Sequence, residues 1–175
     1  SIAWLLNIRG NDVPCNPVLL CHGLLYADGA FELYIKKDKI PKYFHNHVGP
    51  DVLVISPDSL VEKITNLSGK IIQLDLTSSN LWSKRLLTDS KVIVVDKKDP
   101  CTLAKACKNY VEIKGMKECH IRDATAECIF LAWLDEEINN GNLHHEGTLA
   151  DKLDSLRGEQ NNFKGLSFNT ISAAG

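Results

Sequence analysis

Residues Tyr110 to Asn140 read YVEIKGMKECHIRDATAECIFLAWLDEEINN, and how this stretch folds decides how the rest of the chain is arranged. Apolar or small side chains recur at Ile113, Met116, Ala124, Cys128, Leu131, Leu134 and Ile138. Steps of three and four keep such a set on one side of an α-helix. Phe130 and Trp133 widen the stripe, so the helix is expected to lie against a large surface. Glu112, Lys117, Glu118, Asp123, Glu127, Asp135 and Glu136 form the wet side. No proline interrupts the pattern, and Asn139-Asn140-Gly141 is a stop signal. The helix divides the chain: strand-like segments lie before it and helix-rich sequence after it.

On its N-terminal side, Ile2 to Ile8 is a compact apolar run that reads as a strand, followed by a turn at Gly10-Asn11-Asp12. Val18 to Ala27 reads as a second, central strand. Asp28-Gly29 is the sharpest hairpin signal, and Phe31 to Lys36 returns with Phe31, Leu33 and Ile35 on one face and Glu32, Tyr34 and Lys36 on the other. Pro41 to Val48 predicts a short helix and Val52 to Ile55 a strand. Ser56-Pro57-Asp58 opens a helix carrying Leu60, Val61, Ile64 and Leu67, closed by Gly69. Lys70 to Leu76 is a strand, Leu81 to Leu87 lies in a helix, and Lys91 to Val95 is a β-branched run expected to be fully buried. That alternation is the rhythm of parallel α/β crossovers. The expected class is α/β, with a mixed sheet flanked by helices over residues 1–97. The charged segment Asp96 to Pro100 is the expected linker. Beyond it come a short helix over Thr102 to Asn109, the long helix, a helix over Thr148 to Asn161 with Thr148 as N-cap, and a possible strand over Phe163 to Ile171.

The chain has 175 residues, 44% of them hydrophobic and 24% charged, as in an ordinary globular protein. A net charge of -2 and a pI near 6.3 supply no field that would attract nucleic acid or an anionic membrane. The opening SIAWLLNIRG and the position of the single methionine, Met116, suggest that the sequence begins inside a longer polypeptide. Cys15, Cys21, Cys101, Cys107, Cys119 and Cys128 sit in apolar or helical contexts without a C-x-x-C pair. They are expected to be reduced thiols that pack as small hydrophobes.

The candidates for chemistry are few. His45 and His47 form H-x-H, but on a helix or loop the two rings do not converge on one metal. That pair and His144-His145, with Glu146 beside them, both read as solvated surface groups, and His120 as a buried histidine hydrogen-bonded to a neighbouring backbone group or carboxylate. Neither a G-x-G-x-x-G nor a P-loop is present, and Ser167, Thr170 and Ser172 lack a G-x-S-x-G setting. Residue reading alone therefore reaches an α/β domain followed by the start of a second one. It assigns no catalytic, cofactor-binding or metal-binding residue.

Three stretches resemble one family. SIAWLLNIRGNDVPCNPVLLCHGLL resembles the D-x-I-A-W-L-x-N-x-R-G-x-D-x-x-x-N-P-V segment of Xaa-Pro aminopeptidases, the aminopeptidase P branch of the creatinase/prolidase-type pita-bread metallopeptidases. Asp99-Pro100, Ala104-Lys105-Ala106, Lys108-Asn109, Glu112, Gly115-Met116 and His120-Ile121-Arg122-Asp123-Ala124 resemble its P-x-x-x-x-K-A-x-K-N-x-x-E-x-x-G-x-x-x-A-H-I-R-D-A passage. Ala150-Asp151-Lys152-Leu153, Arg157, Phe163 and Gly165 to Ser172 resemble its A-D-K-L-x-x-x-R … F-x-G-L-S-F-x-T-I-S passage. Cys119 stands where the family has Ala, and His144 to Gly147 replace a Thr-Glu turn.

The resemblance implies a creatinase-type α/β domain over 1–97, the second N-terminal domain, and over 98–175 the first helices and strand of a pita-bread catalytic domain. It implies a fragment that ends before the catalytic histidine and the metal ligands, so that this stretch is inactive alone. The intact enzyme would remove the residue preceding an N-terminal Xaa-Pro bond, use two divalent metal ions (manganese), act on proline-containing peptides, form a homodimer and reside in the cytoplasm. Arg9 and the loop after it are the part expected to face the cleft. Two alternatives stand beside this reading. One is a prolidase or creatinase relative; the other is a pita-bread pseudoenzyme that serves as a protein-binding module of histone-chaperone type.

Overall fold

The computed structural model describes residues 1–173. They form two compact units, one of residues 1–13 and 17–107, the other of 14–16 and the described residues from 108 onward.

In the first unit the hairpin forms where Asp28-Gly29 predicts it. Gly29 adopts φ +95°, a conformation open to glycine, and the Asp28 carboxylate accepts the Ala30 N–H at 3.0 Å. Strand β1 (His22–Leu25) pairs antiparallel with β2 (Phe31–Tyr34), and β2 pairs parallel with β3 (Val52–Ile55). A second pair, β4 (Ile71–Leu74) and β5 (Ile93–Asp96), is also parallel. Strand β2 is central and its alternation divides the core. Phe31, Leu33 and Ile35 pack with Ile8, Phe44 and Val52 on one face. On the other, Tyr34 packs with Leu60 and Ile64 of α3 (Leu60–Thr65), Leu87 of α4 (Leu81–Asp89), and Val92. Asn80 caps α4, its side chain accepting the Ser83 N–H at 2.8 Å. A short helix α2 (Phe44–Val48) buries Phe44, and α5 (Cys101–Ala106) follows β5.

Three expectations in this unit are corrected. Ile2 to Ile8 is no strand: helix α1 spans Ile2–Leu5, and the Ser1 carbonyl accepts the N–H groups of Trp4 and Leu5. Periodicity alone does not separate a short apolar strand from a short buried helix. The strand expected over Val18 to Ala27 is limited to His22–Leu25, because its lead-in bonds to the 10–12 loop (Asp12 N–H to Val18 O, Leu20 N–H to the Asp12 carboxylate). Strand β5 is not buried on both faces; Ile93 is 53% exposed.

The second unit is built on α6 (Tyr110–Asn139) and α7 (Glu146–Gly158). A reciprocal capping box starts α6: Asn109 accepts the Glu112 N–H and Glu112 accepts the Asn109 N–H, each at 2.9 Å. The helix ends at Asn140-Gly141, with Gly141 at φ +78°. The expected stripe does not meet a partner among the described residues: Ile113, Met116, Leu131 and Ile138 are all exposed. Helix α7 instead meets the side carrying Asp123, Glu127 and Trp133, through Arg157 and Lys152. Helix α7 starts at Glu146 with His145 as N-cap, not at Thr148, since His145 is extended and the Leu149 N–H already bonds to its carbonyl. Phe163 to Ile171 is not a strand. Thr170 Oγ1 donates to Asp154 on α7 at 2.7 Å, and Phe168 and Ile171 face solvent.

The cysteines are free thiols, as expected, but their burial is not. Cys101 is buried and Cys21 half-buried, whereas Cys15, Cys107, Cys119 and Cys128 are exposed.

Candidate functional site

The first unit contains a cavity of about 900 Å³. All four residues of β1 line one side and all four of β4 the other. Leu60 and Ile64 of α3 and Trp82 and Leu86 of α4 cover one face, with the Trp82 and His22 rings 5.4 Å apart. Ile2, Leu5 and Phe31 contribute to the lining from the α1 side.

Polar groups gather where β4 ends. The Asp75 carboxylate accepts the Thr77 hydroxyl at 2.6 Å, the Thr77 N–H at 3.0 Å and the Asp99 N–H at 3.1 Å. These bonds, led by the Thr77 hydroxyl, hold its pKa far below the ordinary carboxylate range. Asp99 accepts the Ser1 hydroxyl and, through its other oxygen, the Cys101 N–H at 2.8 Å. Burial pushes the Asp99 pKa up, but the Ser1 and Cys101 bonds outweigh it and the net shift is downward. With every carboxylate oxygen engaged, this cluster ties Ser1 and the segments after β4 and β5 together rather than offering a free base.

Beneath β2, Glu32 is buried and accepts the Tyr34 hydroxyl at 2.6 Å and Lys63 Nζ at 2.8 Å. Sequence reading placed Glu32 and Tyr34 on one face of a strand. It gave no sign of the partner, because Lys63 arrives from α3.

The histidines stay apart. His47 Nε2 lies 3.1 Å from the carbonyls of Leu6 and Asn7, while His45 stacks edge-on against Phe44. His144 Nε2 meets Glu137 at 2.7 Å and its ring lies 4.9 Å from Trp133, so it is a structural link and not a solvated group as expected. His120, expected to be buried, is exposed, and its Nδ1 lies 2.8 Å from the Met116 carbonyl one turn back. Arg9, the residue expected to face the cleft, is exposed and donates through one guanidinium nitrogen to the carbonyls of Ala3 (3.0 Å) and Ile8 (2.9 Å). Among the described residues no group of three or more His, Cys, Asp or Glu could hold a metal ion. A dinuclear centre does not fit this set.

Comparison with known proteins places these observations. The family model for the creatinase/prolidase N-terminal domain matches residues 1–112. A peptidase of Schizosaccharomyces pombe, described as uncharacterized, is 38% identical over 176 residues, covering all of this chain and 29% of the relative. A probable Xaa-Pro aminopeptidase P of Talaromyces stipitatus is 38% identical over 184 residues, covering all of this chain and 28% of its own length. The chain thus spans less than a third of the curated relatives it matches. The crystal structure of X-prolyl aminopeptidase from Caenorhabditis elegans, described as a cytosolic enzyme with a di-nuclear active site, superposes with a TM-score of 0.87 at 30% identity, over 98% of this chain and 29% of that one. No helix of the described residues is long and apolar enough to cross a membrane. The hairpin, the crossovers that follow it and the matched segment together mark this chain as a member of the creatinase/prolidase N-terminal domain family.

Proposed function

We propose that these residues are part of a longer Xaa-Pro aminopeptidase, a metallopeptidase that hydrolyses the bond between an N-terminal residue and a following proline. The observation that carries this reading is the superposition of nearly the whole chain on X-prolyl aminopeptidase, whose own chain is more than three times as long. Residues 1–97 act as its second N-terminal domain and 98–175 as the first part of its catalytic domain. The two metal ions, manganese, are held by residues outside this stretch, whose described residues supply no cluster for them. The substrates are proline-containing peptides, the assembly is a homodimer and the compartment is the cytoplasm.

The test is to express the full-length protein, strip its metals, restore manganese, and follow release of the first residue from Xaa-Pro and Xaa-Ala peptides. Metal-dependent release from the Xaa-Pro peptide alone, with no turnover by the 175 residues on their own, is the expected result. Absence of turnover by the metal-loaded full-length protein overturns the reading.

A further inference from the structure

We propose that the slot between β1 and β4 is the seat of one more β-strand, supplied by the polypeptide immediately preceding Ser1 in the full-length protein, which joins the two sheets into one. The inference rests on the reading above that the protein extends beyond these residues.

Among the described residues β1 pairs only with β2, and β4 only with β5, so each presents an open edge. Unpaired backbone donors and acceptors on such an edge are a template for another strand. The two edges do not open onto separate surfaces: both line the same cavity. The faces of the slot differ. Leu60, Ile64 and Leu87 pack with Leu24 of β1 and Ile72 and Leu74 of β4 on one face. On the other, Ile2 and Phe31 lie against the β1 side, while Ile71 of β4 is 71% exposed. A gap between two edges that share one apolar floor has the form of a missing central strand. It is not the form of an open groove for a soluble ligand.

The chain direction follows from the polar cluster. Ser1 bonds to Asp99, just beyond β5, and the Asp99 N–H bonds to Asp75, just beyond β4. Ser1 therefore stands at the carboxyl ends of β4 and β5 and itself lines the slot. A strand leading into Ser1 must finish at that end and so run parallel to β4. The connection from β3 to β4 runs through α3, the form that joins parallel strands of one sheet. With β2 parallel to β3 and β1 antiparallel to β2, the inserted strand is then antiparallel to β1. Its side toward Leu60 and Ile64 should be apolar and β-branched, and its length should match the four-residue edges beside it.

The test uses the full-length protein. Hydrogen exchange should be at least about tenfold slower at amides of His22–Leu25 and Ile71–Leu74 than in a full-length variant whose last few residues before Ser1 are replaced by a Gly-Ser run. A photo-crosslinking residue at Leu24, which lines the slot, provides a readout that does not depend on that variant folding. It should join Leu24 to the residues just before Ser1. Equal exchange in the two proteins, crosslinks only to other segments, protection that rises with concentration as a second copy enters, or a natural polypeptide that starts at Ser1 would each overturn the inference. None of these readouts requires turnover. A protein that protects both edges but leaves Xaa-Pro peptides intact refutes the activity and keeps the strand.

Discussion

Tyr34 Oη donates a 2.6 Å hydrogen bond to Glu32 two residues earlier on the same face of β2, and Lys63 of α3 completes the arrangement at 2.8 Å. A carboxylate this buried is costly unless every oxygen is engaged, and here both are. The pair therefore locks α3 onto the central strand. Burial and the neighbouring carboxylate together push the Tyr34 hydroxyl pKa well above its ordinary value, so it donates at any physiological pH.

Burial alone would raise the Glu32 pKa, but the bonds from Lys63 and Tyr34 outweigh it and bring it below 4.5. A depressed carboxylate stabilises the fold above its unfolded pKa, and that stability is lost as pH falls through the folded value. Glu32→Gln should cost about 2 kcal/mol at neutral pH and much less near pH 3 (~1.5 units below the ordinary value). Urea unfolding of both proteins at the two pH values measures this; an identical gap at each would refute it.

Gly23 tests packing at the slot. A Cβ there would run into the Phe31 ring and approach Ile2 Cδ1 at 3.2 Å. Phe31 is buried in the core cluster, so its ring must leave that packing to admit the new side chain. Gly23→Val should destabilise by about 1–3 kcal/mol although valine favours strands, and the paired variant Gly23→Val/Phe31→Leu should recover part of the loss. No recovery in thermal unfolding would mean that the clash is not with Phe31.

Arg157 bridges successive turns of α6, reaching Asp123 at 2.7 Å and Glu127 at 3.0 Å. Both carboxylates are about half exposed, so solvent screening limits the effect. Arg157→Ala should cost about 1 kcal/mol, and Arg157→Lys should recover little, because one ammonium cannot span both carboxylates as the planar guanidinium does. Full rescue by lysine in a denaturant titration would show that charge alone matters.

Thiol reactivity should separate the cysteines. In the folded protein Cys15, Cys107, Cys119 and Cys128 should react promptly, and Cys21 and Cys101 slowly, since burial raises the pKa of both. Denaturation without reductant should release all six. Peptide mapping after timed alkylation decides it, and a protected Cys119 or a prompt Cys101 would contradict the structure.

Limited proteolysis bears on the unit boundary. Asp99 and Cys101 are tied down by the Asp75 and Ser1 bonds, and the compact units divide between Cys107 and Lys108. Cleavage should favour 107–109 over 96–100. The reverse order would make 96–100, where the two proposed domains meet, the looser joint despite its bonds to Asp75 and Ser1.

Much of the fold was legible in the sequence because local chemistry and global structure agree. The Asp28-Gly29 turn and the long helix, uninterrupted by proline and stopped at Asn140-Gly141, each carry their signal in local sequence. The failures share a cause. Ile2 to Ile8 is short and apolar, so packing and not period decides its form. The α6 stripe was read correctly as apolar, but pattern cannot tell which side meets a partner present in these residues; the contact with α7 runs through Asp123, Glu127 and Trp133 instead. The Glu32–Lys63 pair joins residues far apart in the chain, and such pairings leave no local trace. The motif segments carried the family, while the slot between β1 and β4 was visible only once the strands had been paired.

The capping box at Asn109 and Glu112 has a consequence for how this protein can vary in length. It fixes the first residue of a 30-residue helix, a rod of roughly 45 Å at 1.5 Å per residue. Gly141 and the bonds from Asn142 and His144 to Glu137 fix the other end. One residue inserted between these anchors would turn everything beyond it by about 100° and carry Asp123, Glu127 and Trp133 away from α7. Alignments with relatives extend to 189 positions against 175 residues here, so length does change within the family. The structure can absorb such changes in its loops, but not within the rod ahead of Asp123 without losing the contact with α7.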